Sequence, residues 1–236
     1  MIAILFALEI EAGGLIDLLG DKVTTQAENL TVYQGQLHDR EVTLGIIGTG
    51  AERASKATQA FIQAYRPERI VLAGFSGGLQ PTIRQFDIVL VDEEGVKLIL
   101  VDADESKPTL LPEETLGPMG AILSVQQVIH SAEAKQQIGM KSGALVVDME
   151  SATVQKVCRA EEIPFSAMRI VIDPMDEELP ADIQRLTDQP SMGARIGAAI
   201  GAICRRPSNL KTMVGLRENA IQASDRLARF LSRLYL

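Results

Sequence analysis

A chain of 236 residues with 46% hydrophobic residues and a mean hydropathy of +0.11 can bury one large core, and it reads as a single domain over 1–236. Lys and Arg number 23 against 31 Asp and Glu, a formal charge of −8; that argues against a general nucleic-acid or anionic-membrane surface, which needs a basic patch. The two cysteines, Cys158 and Cys204, sit in no CxxC or Cys/His cluster, which argues against a metal site and a disulfide framework.

Residues 2–8 are apolar but lack a basic leader and run straight into Glu9 and Glu11, so they read as a buried first strand, not a signal peptide. A short helix is expected over 12–19. Residues 30–36 and 41–48 read as a strand pair turned at His38-Asp39, and 52–65 as a helix ending before Pro67. A strand over 69–74 leads into a Gly-rich turn and then a strand over 87–92. Residues 95–119 read as a loop with an edge strand, 120–124 as a short strand, and 125–137 as turn mixed with helix. A helix is expected over 147–161, with Met149, Ala152, Val157 and Cys158 on one face. Residues 165–172, bounded by Pro164 and Pro174, read as a buried strand. Helices follow near 181–187, 192–204 and 208–233, the last with a stripe of Leu210, Met213, Val214, Ile221, Leu227, Phe230 and Leu234. No apolar run approaches about 18 residues, so no membrane span is expected, and the protein is placed in the cytoplasm. Alternating strands and helices with continuous Val/Ile/Leu runs predict the α/β class: a mixed, partly parallel sheet flanked by helices.

Two acidic sites stand out in this frame, Asp148-Met149-Glu150 and the Asp173 that ends Arg169-Ile170-Val171-Ile172-Asp173. Open α/β sheets bind ligands at the carboxyl ends of their strands. A charge ending a buried strand is costly unless paired or hydrogen-bonded, so Asp173 calls for a reason. Arg169 is a candidate ion partner for Asp173 or Glu150. Glu150 alone reads as a helix N-terminal acid one turn into its helix, and Met149 alone as core. Glu9 and Glu11 follow the first strand at the same edge; two apart in extended chain they point in different directions, so at most one enters a cleft.

Gly48-Thr49-Gly50-Ala51-Glu52-Arg53 follows a strand and opens a helix. Arg53 occupies the third glycine's place of a dinucleotide fingerprint, which favours a tight turn whose N–H groups can receive a hydroxyl or an anion. Gly74-Phe75-Ser76-Gly77-Gly78 fits G-x-S-x-G. Gln80-Pro81, however, breaks the chain where a nucleophile elbow needs a helix, and His130 precedes every triad acid of the second half. The glycines read better as a place where backbone approaches a flat ligand. Arg205, Arg206, Lys211, Arg217, Arg226, Arg229 and Arg233 make the C-terminal end basic, as a solvated helix face would be.

Taken together, these residues resemble the nucleoside phosphorylase and nucleosidase superfamily, in particular the nucleosidases that cleave methylthioadenosine and adenosylhomocysteine. The motifs are Ala7-Leu8-Glu9-Ile10-Glu11, Gly48-Thr49-Gly50, Gly74 to Leu79 with Phe86-Asp87-Ile88-Val89, Val147 to Ser151, and Arg169 to Asp173, in the family's order over about residues 1–178. The resemblance implies the family's fold and cleavage of a purine N-glycosidic bond, with a small-molecule purine nucleoside as partner, no cofactor, and phosphate only if the reaction is phosphorolytic. It implies that Asp173 donates a proton toward the purine, most plausibly at N7, and must therefore stay protonated near neutral pH. Glu11 would act as general base on a water attacking C1′, and Glu150 would accept from the ribose hydroxyls above Met149. Arg169, Phe75, Ser76, Gly77 and Gly48 would complete the substrate site. Val128 and Ile129 match a Phe-Ile pair that frames the base, with Phe165 or Phe75 replacing the missing aromatic.

Three departures qualify the match. Ile172 stands where the family places a serine. Leu72 stands where phosphorolytic members have an arginine, and no arginine follows Gly13-Gly14 until Arg40. Without that clamp a phosphate dianion binds poorly unless Arg53 supplies the charge, so water is the expected nucleophile. Residues 169–180 and Cys204-Arg-Arg-Pro-Ser-Asn-Leu210 are similar to the hopanoid-associated branch, linked to removal of adenine from adenosylhopane; the basic C-terminal helices would suit docking at a membrane surface. The resemblance also implies a homodimer. A phosphorylase, and a non-catalytic nucleoside- or lipid-binding protein on the same fold, stand as alternatives.

Overall fold

Strand β1 (Ile2–Phe6) lies between β4 (Arg40–Ile46) and β5 (Arg69–Gly78), parallel to both. Helices cover both of its faces, so the strand needs no polar side, and this explains the continuous apolar run. In the computed structural model, which describes residues 1–38, 40–92, 95–100, 109–110, 121–178 and 211–234, β11 (Phe165–Asp173) extends the parallel set beyond β5. The flanks are antiparallel. On one side β2 (Gly20–Ala27) and β3 (Leu30–Leu37) form a meander with β4; on the other, β6 (Ile88–Asp92), β7 (Gly95–Leu100) and β8 (Thr109–Leu110) follow β11. The order is β2-β3-β4-β1-β5-β11-β6-β7-β8. A branch of β9 (Ile122–Ser124) and β10 (Val146–Asp148), parallel to each other, joins the far end of β5, with Val147 opposite Gly77 and Val146 opposite Gly78.

Successive residues of the central strands point to opposite faces. Ile4, Phe6, Val71 and Ala73 pack with Ala12, Leu15 and Ile16 of α1 (Glu9–Leu18) and with Ala223, Leu227 and Leu231 of α5 (Lys211–Leu234). Ala3, Leu5, Ile70 and Leu72 pack with Ala54, Ala57 and Phe61 of α2 (Ala51–Tyr65) and with Val154, Val157 and Cys158 of α4 (Ser151–Ala160). The remaining helix, α3 (Ala132–Ser142), starts at Ser131, whose hydroxyl accepts from Ala134 N at 3.2 Å as an N-cap. Gly139 lets it approach the end of β5 closely, since a Cβ there would collide with the Leu79 carbonyl.

The mixed sheet flanked by helices is therefore present, with several elements differing from expectation. Helix α1 begins at Glu9, not at 12, so Glu9 and Glu11 lie in a first turn and not in extended chain. Strand β5 runs through the expected Gly-rich turn because Val147 and Val146 give Gly77 and Gly78 ladder partners. The helix expected over 147–161 divides. β-Branched Val146-Val147 joins the sheet, and the Asp148 carboxylate accepts from Ser151 N at 3.1 Å where α4 begins. Ala152 is consequently exposed, and Val154 takes its place on the buried face. Every residue of β2 is exposed, so it has no apolar alternation to read. On α5, Ile221 is 42% exposed and the buried face is Ala220, Ala223, Leu227 and Leu231. The helices expected near 181–187 and 192–204, and the side chains of Leu210, Met213, Val214 and Leu234, lie outside the described residues. Arg226 of the basic terminus stacks over the Phe86 ring at 4.6 Å. Among the described residues no helix is long and apolar enough to cross a membrane.

Candidate active site

Because β1, β4, β5 and β11 are parallel, their carboxyl ends lie along one edge of the sheet. That edge receives Glu11 from the helix after β1, Gly48-Thr49-Gly50 after β4, Gly74 to Gly78 within β5, and Asp173 at the end of β11. Strand β10 ends there too with Asp148, and the turn after it delivers Met149 and Glu150.

Three buried acids and one arginine organise one part of the edge. Glu11 is 4% exposed; one carboxylate oxygen accepts from Leu8 N at 2.8 Å, as the N3 acid of a helix does, and the other accepts from Phe75 N at 2.8 Å. Glu150 accepts from Gly50 N at 2.9 Å, which ties the turn after β10 to the turn after β4. Arg169 is fully buried. Its Nη2 lies 2.6 Å from Asp148 Oδ2 and 3.1 Å from Ser151 Oγ, and the other Asp148 oxygen accepts from Ser124 Oγ at 2.6 Å. The expected pairing of Arg169 with Asp173 or Glu150 is thus replaced by a pair with Asp148, because the strand ending at Asp148 aims that carboxylate at the guanidinium. Arg169 is buried like the acids around it, and among the described residues its Nη1 has no hydrogen-bond partner. A Cβ on Gly74 would lie 2.5 Å from Arg169 Nη1 and 2.7 Å from Glu11 Oε1, so only glycine leaves room for both groups. Burial pushes Glu11 above the usual carboxylate range, and the Arg169 charge only partly opposes it. Burial pushes Glu150 up to about 7, again against the pull of Arg169.

Asp173 lies farther along the same strand. Its carboxylate oxygens would sit 3.1 and 3.4 Å from a Cβ on Gly77, and Gly74 to Gly77 is about 10 Å along β5. A bulge between Val171 and Asp173 leaves Ile172 out of register with β5, and it is this extra residue that turns Asp173 toward Gly77. Asp173 Oδ2 is 2.7 Å from Lys135 Nζ, and Lys135 is fully buried. Burial pushes the Asp173 acid up to about 6, with Lys135 pulling the other way. This lysine is not among the site residues expected from the motifs. The available signal was its place four residues before Gly139, on the helix face that packs inward.

The remaining expected residues divide. Phe75 is half-buried and offers its N–H to Glu11. Ser76 is buried and donates to the Ile170 carbonyl at 3.3 Å, and Met149 is half-buried beside Glu150. Gly48 has φ +78 and lies against the Arg53 side chain, whose Nε is buried without a hydrogen-bond partner among the described residues. Val128 and Ile129 line an open cavity of about 600 Å³ together with Val125, His130, Ala134 and Ile138; none of Glu11, Glu150 or Asp173 lines it. Phe165 is a correction. It opens β11, eight residues before Asp173, so about 26 Å separates them along the strand, and it packs with Phe61 and Ile70 in the core. It cannot stack on a base held near Asp173. Leu72 is fully buried. Among the described residues no group of three or more His, Cys, Asp or Glu side chains could hold a metal ion.

Acids raised by burial take up protons on folding, so stability falls as pH rises from the unfolded to the folded pKa and stays lowered above it. For Glu150 the window runs from 4.5 to about 7, and for Asp173 from 3.8 to about 6. The melting temperature is expected to fall between pH 5 and pH 7, with a flatter slope in Glu150→Gln. A melting temperature that rises across this window contradicts the burial.

The family model for the Phosphorylase superfamily matches residues 1–114 and 114–203. A 5′-methylthioadenosine/S-adenosylhomocysteine nucleosidase of Staphylococcus epidermidis is 25% identical over 217 residues, covering 82% of this chain and 95% of its own length. The Staphylococcus aureus enzyme of the same name is 27% identical over 202 residues, covering 73% and 86%. Among solved structures, the Neisseria meningitidis nucleosidase in complex with methylthio-immucillin-A superposes with a TM-score of 0.64 at 19% identity, covering 99% of each chain. Futalosine hydrolase of Helicobacter pylori superposes with a TM-score of 0.63 at 20% identity, covering 99% of this chain and 97% of its own. These last two establish likeness of fold.

Proposed function

Since this chain belongs to the Phosphorylase superfamily, we propose that it is a hydrolase that cleaves the N-glycosidic bond of adenosine derivatives and releases adenine. The observation that carries the reading is Asp173, a buried acid at the carboxyl edge of the sheet, which burial pushes up to about 6 so that it keeps its proton at far higher pH than an ordinary carboxyl. Asp173 gives that proton to the purine, at N7, as the C1′–N9 bond breaks and its electron pair passes into the base. Glu11 takes a proton from the water that bonds to C1′. The products are adenine and the free sugar. Glu150 accepts from the ribose hydroxyls, with Met149 under the sugar, while Phe75, Ser76 and Gly77 present β5 to the ligand and Gly48 shapes the turn. Val128 and Ile129 frame the base from the loop before α3. Arg169 positions the acids.

Water is favoured over phosphate because Leu72 is buried in the core and leaves no arginine at that place to clamp a dianion. The reaction uses no cofactor; phosphate enters only in the phosphorolytic alternative. The relatives' names favour 5′-methylthioadenosine or S-adenosylhomocysteine as substrate. The run Cys204 to Leu210 favours a second reading, a lipid-bearing adenosine. In either case the chain is read as one domain that works as a homodimer. Adenine release from 5′-methylthioadenosine in phosphate-free buffer tests the proposal: turnover is expected at a rate that added phosphate leaves unchanged. Strict dependence on phosphate overturns the hydrolytic assignment.

A further inference from the structure

We infer that Lys135 is a positioning residue for Asp173, pinning its carboxylate between α3 and β5. The inference rests on the proposed role of Asp173. A buried ammonium is tolerated only when all three of its N–H donors are met. Lys135 Nζ meets Asp173 Oδ2 at 2.7 Å, the Pro174 carbonyl at 3.0 Å and the Glu177 carbonyl at 2.9 Å. All three acceptors belong to one stretch, 173–177, so a single side chain secures both the acid and the backbone just beyond it. If the interior needed only volume here, a methionine or leucine would fill it without the cost of burying a charge. The helix that carries the lysine is fixed at both ends of this contact, by the Ser131 cap and by the close approach of Gly139 to Leu79.

The charges that face Asp173 are few among the described residues. Lys135 comes from α3 and Glu177 from the turn after β11, while β5 and β10 bring the uncharged Gly77 and Val147. Burial and Glu177 favour the protonated acid, and Lys135 favours the carboxylate. Removing the lysine therefore leaves Asp173 protonated to higher pH. In Lys135→Met, and in Lys135→Gln, the alkaline limb of kcat/KM for adenine release is expected to move up by about one pH unit or more. A lysine that only supports the fold would lower the rate at every pH and leave the limb in place, which overturns the inference.

A second readout needs no turnover. Carbon-13 NMR of the Asp173 carboxyl in the ligand-free protein should show its midpoint rising in the variants. If neither variant folds, the wild-type protein decides: the Lys135 nitrogen resonance must shift with the Asp173 midpoint, and its failure to do so overturns the pairing. A midpoint that moves in a protein releasing no adenine leaves the pairing standing and sinks the nucleosidase reading. An active enzyme whose midpoint stays put sinks the role of Lys135 alone.

Discussion

Replacing Arg169 by methionine is expected to lower the unfolding free energy by about 3–5 kcal/mol, the usual cost of removing one partner of a buried ion pair. The guanidinium is fully buried, and the Asp148 side chain it meets at 2.6 Å is 1% exposed. Without the arginine, Asp148 stays buried with only the Ser124 hydroxyl and Ser151 N–H as donors among the described residues, and burial of Glu11 and Glu150 loses the charge that opposes it. Methionine fills much of the vacated volume, so the loss reads charge and not cavity. Denaturant titration with an unchanged m-value measures it, and a loss below about 1 kcal/mol contradicts the account. The double variant Arg169→Met/Asp148→Asn should recover part of the loss, because the orphaned charge is removed with its partner.

How much of this could be read from the chain follows from the physics of each element. Strands buried on both faces announce themselves as apolar runs, so β1, β5 and β11 were legible, and with them the edge where their carboxyl ends meet. Asp173 was legible for the same reason: an acid at the end of such a run demands an explanation. Strand β2 was not, because an exposed strand shows no alternation. The division of 147–161 into strand and helix hinged on Asp148 accepting from Ser151 N and Val147 pairing with Gly77. The second is a contact between distant segments that no local pattern encodes. Pairing of charges is equally non-local. Arg169 chose Asp148, and Asp173 found Lys135, a residue 38 positions earlier that looks like any other helical lysine. Phe165 failed as a ligand contact because distance along a strand, not residue type, decides which end of the sheet a side chain serves.

Asp173→Asn bears on the proposed chemistry at its core. The change keeps shape and an oxygen acceptor for Lys135 but leaves no acidic proton for the departing purine. General-acid assistance of this kind contributes about 10²- to 10⁴-fold, whereas binding of the nucleoside rests on other groups. Adenine release from 5′-methylthioadenosine should therefore be followed at pH 6 for both proteins, with binding of the substrate measured alongside. The expected result is a kcat at least about 100-fold lower in the variant with affinity for the nucleoside retained. A variant that releases adenine at the wild-type rate contradicts the assignment of Asp173 as the proton donor, and with it the account of bond cleavage at this edge of the sheet.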